Sequence, residues 1–329
     1  MHKNVLAHDP KEDYIDRYRI SKEVQKKLNL LYTKNNWYNF FSIGLDWGII
    51  LGSVLLWLNV PTWWMYIISI VLIGSRMRGL DNIMHEASHA MLFKNQLLNK
   101  WMACIFAAFP IFTSYTTYCK SHFLHHKYLW TDKDPDYHRY KLIGLDDPPK
   151  DGFTFFLKHI LKPVLLVHVP KYILGTVSAN LYSKGEPSNE RVARILYWLL
   201  IITNSIIFGF WDLILLFWIV PLFTTFQIIR YWVEISEHGG LKNSNGLYAS
   251  RNSFGNLIES FLLHPHNDPY HLVHHLCPAI PHYNVKKAHL ILMEDIEYRN
   301  AHHCFGFFVP KVPGFSTVVE DIRGKNYTN

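Results

Sequence analysis

Residues 40–60 read FFSIGLDWGIILGSVLLWLNV. At 1.5 Å rise per residue, a helix of about 20 residues covers the roughly 30 Å hydrocarbon layer of a bilayer. Asp46 is its single charge, and Pro61 ends it. Working outward, residues 62–75 are apolar again. That second helix is expected to run on past Arg76 and Arg78, whose long side chains can snorkel to the interface. A second apolar pair lies at residues 194–209 and 212–231. The turns at Pro61 and Gly209 lack Lys and Arg, whereas Arg76, Arg78, Arg191, Arg194 and Arg230 sit at the outer ends. The positive-inside rule therefore puts those outer ends in the cytoplasm. We expect an all-α integral membrane protein with four transmembrane helices in two hairpins and a cytoplasmic helical cap. The expected divisions are an N-terminal cytoplasmic arm (1–36), a membrane domain (37–300) and a C-terminal cytoplasmic tail (301–329). The polar arm is expected to carry no cleaved secretory signal and to lie amphipathically near a membrane surface.

Composition agrees. Of 329 residues, 49% are hydrophobic and 18% charged, against about 25% charged in an ordinary soluble chain. A disordered chain is excluded. The 33 basic and 26 acidic residues leave +7, which beside such apolar blocks suits a membrane surface or an acidic partner, not nucleic acid. The four cysteines form no CxxC pair and fit a reducing compartment. Trp and Tyr are expected in interfacial belts. The mixed polar and apolar stretch 153–182 is expected to lie in the interface.

The 20 histidines are the anomaly, because imidazole is the commonest metal ligand. His85 and His89 are spaced i, i+4, about 40° apart on one helix face. His122, His125 and His126 form H-x-x-H-H, and His271, His274 and His275 repeat it. Eight imidazoles exceed what one tetrahedral zinc uses, and two metal ions would take them. If they meet, all three clusters lie on one membrane face. The 32 residues from 90 to 121 are too few for two crossings of about 20 residues each. Residues 101–118 are thus expected to be interfacial or re-entrant.

The order of these boxes, with flanks MHEASHAMLF, SHFLHHKYLWTDKDPD and YHLVHHLCPAIPHYN, resembles the membrane fatty acid desaturase and hydroxylase superfamily. RYWVEISEHGGL and SRNSFGNLIESFLLHPHND are similar to its bacterial members. The resemblance spans residues 40–290. It implies a di-iron, O2-using oxidoreductase with an alkyl-chain tunnel, in the bacterial inner membrane with its site facing the cytoplasm. The metal ligands it implies are His85, His89, His122, His125, His126, His271, His274 and His275, with His238 as a ninth. Glu234 and Asn267 are candidates for the layer behind the ligands, as are Asp81, Asp132, Asp134 and Asp136, which could accept the second imidazole N–H. His266, His138, His159 and His168 are expected to stand outside the metal set.

Redox-active iron suits the task, because no side chain can oxidise an unactivated alkyl chain and zinc does no redox chemistry. Desaturation leads; hydroxylation, acetylene formation and ketolation run on the same scaffold. The acyl carrier, whether coenzyme A, acyl carrier protein or phospholipid, stays open. With no CxxCH and no ferredoxin-like cysteine run, no fused electron-transfer domain is expected, and an external donor is implied: a ferredoxin, rubredoxin or small haem protein with its reductase. Lys120, Lys127, Lys133, Arg139 and Lys141 around the second box suit such a donor or anionic lipid. Two rivals exist. His85-Glu86-x-x-His89 matches the zinc metalloprotease signature but leaves six box histidines unused. A metal transporter would place ligands at the bilayer midplane, whereas these lie beyond the apolar blocks.

Overall fold

The computed structural model describes residues 15–174, 185–243 and 245–324. Parts of the N-terminal arm, the 153–182 stretch and the C-terminal tail lie outside these. The chain is mostly helical, and its described sheet is one short parallel pair, Asn252–Ser253 with His303–Cys304.

Several helices start where the sequence offers a side-chain acceptor for the unpaired N–H groups of a first turn. After α1 (Lys22–Leu28), Asn35 accepts from the Trp37 N–H and opens α2 (Asn36–Asn59). Pro61 separates α2 from α3 (Trp63–Ser88). Asn95 opens α4 (Gln96–Ala103), and Ser114 opens α5 (Tyr115–Tyr128). Asp134 and Pro135 open α6 (Pro135–Ile143). An interrupted helix follows at residues 152–164. Then come α7 (Ser188–Ile207) and α8 (Trp211–His238), the latter broken at Thr224. The cap continues with α9 (Leu257–Leu263), α10 (His271–Leu276) and α11 (Val285–Leu292).

Helices thus stand at all four apolar blocks. Among the described residues two are long and apolar enough to cross a membrane, α2 and α8. The other two, α3 and α7, are long but carry charge: Arg76, Arg78, Asp81 and Glu86 on α3, Glu190, Arg191 and Arg194 on α7.

The polarity of α2 is inverted relative to a soluble helix. It buries Asn39, Ser42, Asp46 and Ser53 and exposes Phe41, Leu45, Leu51, Leu55 and Leu58. The expected snorkelling does not occur. Arg76 turns inward, 3.4 Å from the buried carboxylate of Asp46, which also takes a 2.6 Å contact from His266. Arg78, only slightly exposed, also turns inward, among three carboxylates described below. Burying an ion is favourable only with a partner, and each arginine has one. Close approach makes this geometry possible. A Cβ at Gly79 would lie 2.6 Å from the Asp46 carboxylate, and one at Gly74 would lie 2.8 Å from the Phe226 backbone nitrogen.

Residues 101–118 do not form one continuous helix. A π-turn at Cys104–Ala108 follows α4, and the chain breaks at residues 109–114, where Phe112 has φ +60°. Broken backbone among apolar helices must find partners within the protein. Three indoles supply them. Trp47 donates to the Phe106 carbonyl at 3.0 Å, Trp198 to Phe109 at 2.8 Å, and Trp218 to Pro110 at 2.9 Å. These tryptophans belong to the packing of the loop, a role the interfacial-belt expectation missed.

The arm and tail are packed into the cap. Val24 and Leu28 of α1 are buried with Leu272 and Val273 of α10, and Val318 and Ile322 of the tail join Val233 and Ile235 of α8.

Candidate metal centre

Four elements deliver nine imidazoles to one place. His85 lies in the last turn of α3, and His89 is its C-cap residue. The middle of α5 carries His122, His125 and His126. His238 is the final residue of α8, and α10 carries His271, His274 and His275. They form two adjoining groups. In the first, the ligand atoms of His85, His89, His122, His126 and His274 lie within 4.8 Å of one another. In the second, those of His125, His238 and His275 do the same. His271 joins them, its Nε2 2.9 Å from that of His238 and 3.0 Å from that of His275. The groups touch where the rings of His126 and His275 stack at 4.4 Å.

This arrangement fits cations. In the first group the Nε2 atoms run His89, His122, His126, His274, His85, with successive separations of 2.8, 3.0, 2.9 and 2.9 Å. A neutral imidazole Nε2 carries either one proton or one lone pair. One proton serves one contact, so five such atoms cannot satisfy four successive contacts. At least one contact is left at hydrogen-bond distance with no proton to bridge it. A cation among them would accept the lone pairs together.

Several rings are also held from behind. His125 Nδ1 lies 3.1 Å from Asp134, and His238 Nδ1 lies 3.0 Å from the Ala249 carbonyl. His271 Nδ1 is 3.4 Å from Glu237. A proton on each Nδ1 leaves the Nε2 lone pair facing the centre. Burial, and then the neighbouring imidazoles, hold His122, His126, His271, His274 and His275 well below the usual imidazole range. These rings are neutral donors at neutral pH. His125 differs: burial pushes it down, but Asp134 and Asp136 outweigh that and raise it.

Neutral donors leave the charge of bound cations to be offset elsewhere. Arg78 is ringed by Asp81 at 2.7 Å and by Glu237 and Asp268 at 3.0 Å, one cation among three carboxylates. The excess negative charge sits directly behind His271 and the lead-in to α10. Sequence reasoning named Asp81 but missed Arg78, Glu237 and Asp268. The usable signal was Glu237 beside His238.

The other candidates behind the imidazoles divide. Asp134 contacts His125, and Asp136 lies 3.6 Å from it. Asp81 serves Arg78. Asp132 is exposed and pairs with Lys141 at 3.0 Å. Glu234 pairs with Arg139 at 3.0 Å and Arg230 at 3.2 Å and accepts from the Tyr172 hydroxyl, so its partners among the described residues are not imidazoles of the two groups. Asn267 lines a cleft beside His85, His271 and His274, but its amide donates to the His282 carbonyl at 3.1 Å. His266 lines the same cleft, but its Nε2 pairs with Asp46 at 2.6 Å and joins neither group. His159 and His168 are buried rather than interfacial, contacting the Tyr231 hydroxyl and the Gln227 carbonyl. Glu86, the base of the protease reading, accepts the His282 backbone N–H at 3.1 Å.

A model of the family described as fatty acid desaturase matches residues 61–307. The chain belongs to the fatty acid desaturase family. The match takes in every histidine of both groups. This desaturase-family chain is also 33% identical over 320 residues to dihydrorhizobitoxine desaturase of Bradyrhizobium elkanii, covering 94% of this chain and 90% of that protein. Family and relative alike indicate a desaturase-type oxidoreductase.

Proposed function

We propose that the protein is an O2-dependent di-iron desaturase that removes two hydrogens from an unactivated alkyl chain of a lipid or acyl-carrier substrate. The observation that carries this reading is the pair of adjoining imidazole groups, five rings and four. Iron bound there would supply the redox chemistry with O2 that no side chain provides. The chain's own part is to hold the rings. His85, His89, His122, His126 and His274 would hold one ion, and His125, His238, His271 and His275 the other. Asp134, Glu237 and the Ala249 carbonyl fix ring orientation. The carboxylates around Arg78 offset charge. Glu234 is linked to the second group through Arg139, which also pairs with Asp136 at 3.1 Å.

The topology proposed with it has four crossings, with the imidazoles on the cytoplasmic side of a bacterial inner membrane. The apolar exterior and polar interior of α2 support it. So does α7, which exposes Ile195, Leu199, Leu200 and Ile206 while burying Glu190, Arg194 and Ser205. Such outward apolar surface suits lipid.

Metal analysis of purified protein tests the centre, with two irons per chain expected. One zinc per chain would favour the protease reading, and a variable exchangeable load a transporter. Product analysis by mass spectrometry, in a host fed defined fatty acids, tests the reaction. A second reading keeps the desaturation and changes the substrate, because the relative covering most of this chain is named for dihydrorhizobitoxine. A new double bond in a non-lipid metabolite, with the fatty acids unchanged, would favour it.

A further inference from the structure

Desaturation has an electron balance that the site must meet. Two C–H bonds break, one C=C bond forms, and O2 becomes two waters by taking four electrons and four protons. The alkyl chain gives two of each. Water gives the other two protons, and two electrons must come from outside. The protein surface must therefore offer a way in.

One route stands out beside the second imidazole group. Trp130 is buried, with its ring 6.1 Å from that of His238 and 5.7 Å from that of Tyr137. Its indole N–H donates at 3.0 Å to the Ala249 carbonyl, the same oxygen that His238 Nδ1 contacts at 3.0 Å. Tyr140 bridges in parallel, 5.5 Å from Trp130 and 5.8 Å from His238. At the outer end, Lys141 and Lys242 lie over the Tyr137 ring at 4.4 and 5.0 Å, and Lys242 donates to its hydroxyl at 2.6 Å. Lys127 and Lys133 stand over neighbouring Tyr128 at 5.0 and 5.6 Å. All four lysines are exposed, and Lys141 also pairs with Asp132 at 3.0 Å.

The backbone holds Trp130 in this position at a cost. It has φ +65°, a region that non-glycine residues seldom occupy, and its N–H donates to Asp134, the carboxylate that also contacts His125. Such strain persists only where surrounding contacts fix it.

We propose that the lysine face over Tyr137 is the docking surface for an acidic one-electron donor protein, and that Trp130 is the positioning residue that carries its electronic coupling to His238. The inference rests on the di-iron reading above. Neither Trp130 nor Tyr137 becomes reduced. They fill the gap between donor and centre with contiguous π-systems and a shared hydrogen-bond acceptor, which shortens the through-space step. The lysines supply attraction that steers an acidic partner and weakens with salt, as the Debye length falls from about 10 Å at 0.1 M to about 3 Å at 1 M.

The test uses iron-loaded full-length protein in detergent, with a plant-type [2Fe–2S] ferredoxin as acidic probe and reduced methyl viologen as a small reductant that needs no docking. Binding of oxidised ferredoxin, read without turnover, should weaken about tenfold in the Lys141→Glu/Lys242→Glu variant, and its salt dependence should flatten. Electron transfer from saturating reduced ferredoxin should slow several-fold in Trp130→Leu and recover in Trp130→Phe, with iron content retained. Phe123, whose ring lies 5.8 Å from that of His89, marks the rival route. Slowing by Phe123→Leu but not by Trp130→Leu would overturn the assignment. Unchanged ferredoxin binding in the lysine variant, with lost binding to anionic vesicles, would give the face to lipid and overturn the docking surface. If methyl viologen reduces no iron in the unmodified protein, the di-iron reading itself fails. If it does, and the variants leave ferredoxin binding and transfer unaltered, only the docking face and route fail.

Discussion

A single carboxylate can be read against the imidazole it holds. Asp134 contacts His125 at 3.1 Å, accepts the Trp130 N–H, and opens α6. Asp134→Asn keeps the shape and removes the negative charge. Metal affinity of the second group should fall about 10–100-fold, the usual cost of losing such a partner, with the first group spared. Titrating metal-free protein with Co2+ and following its visible absorption checks this. Arg78→Met is expected to be harsher. It leaves Asp81, Glu237 and Asp268 buried with no cation between them, a loss on the order of 3–5 kcal/mol. Thermal unfolding in detergent measures it. Arg78→Lys should recover part of the loss, since it keeps the charge but not the planar fork.

Helices meet here at contacts that tolerate little added volume. Gly74 faces Thr225 and Phe226, where α3 crosses α8, and the Thr225 hydroxyl donates to the Ile70 carbonyl at 2.6 Å. Gly74→Leu should force the two apart and cost roughly 1–3 kcal/mol or more. Because α3 ends in His85 and α8 in His238, metal content should fall with stability in the same variant. The broken segment after α4 offers a milder case. Trp218→Phe leaves the Pro110 carbonyl without its indole donor, about 1–3 kcal/mol for a buried acceptor. The readout is a lowered melting temperature with both metals retained.

The whole molecule combines an apolar exterior with a titratable centre. Cysteines placed at Pro61 and Gly209 should be labelled from outside the cell, and those at Lys120 and Pro278 from inside. External labelling at Lys120 would break the four-crossing topology. Acid should unfold the metal-free protein. His122, His126, His271, His274 and His275 have folded values depressed by burial and by one another. The unfolded chain therefore binds more protons once pH drops below about 6.5, the ordinary imidazole value. Their neutral burial stabilises the fold above that pH, and the contribution is lost as pH falls through the folded values. Five such groups make the loss steep. Bound metal should displace the transition to lower pH, because metal and proton compete for the same lone pairs. Unfolding followed by circular dichroism against pH, with and without metal, checks the order.

How much of this was legible in the sequence depends on the range of each interaction. Local periodicity determined the helices at the four apolar blocks, the break at Pro61 and the placing of His85, His122, His125 and His126 on helix faces, since neighbours within a turn decide these. The spacing of the boxes argued against a crossing at residues 101–118, but the break of the helix at 109–114 was not read from it. Tertiary structure alone decided the partners. Arg76 and Arg78 read as snorkelling ends because, Asp81 apart, the carboxylates that draw them inward lie 30 to 190 residues away in the sequence. The division of nine imidazoles into five and four could not be read either. His125 and His126 are adjacent in sequence yet belong to different groups, because successive residues on a helix point about 100° apart. Which group each ring joins depends on where α3, α8 and α10 end, and packing sets that.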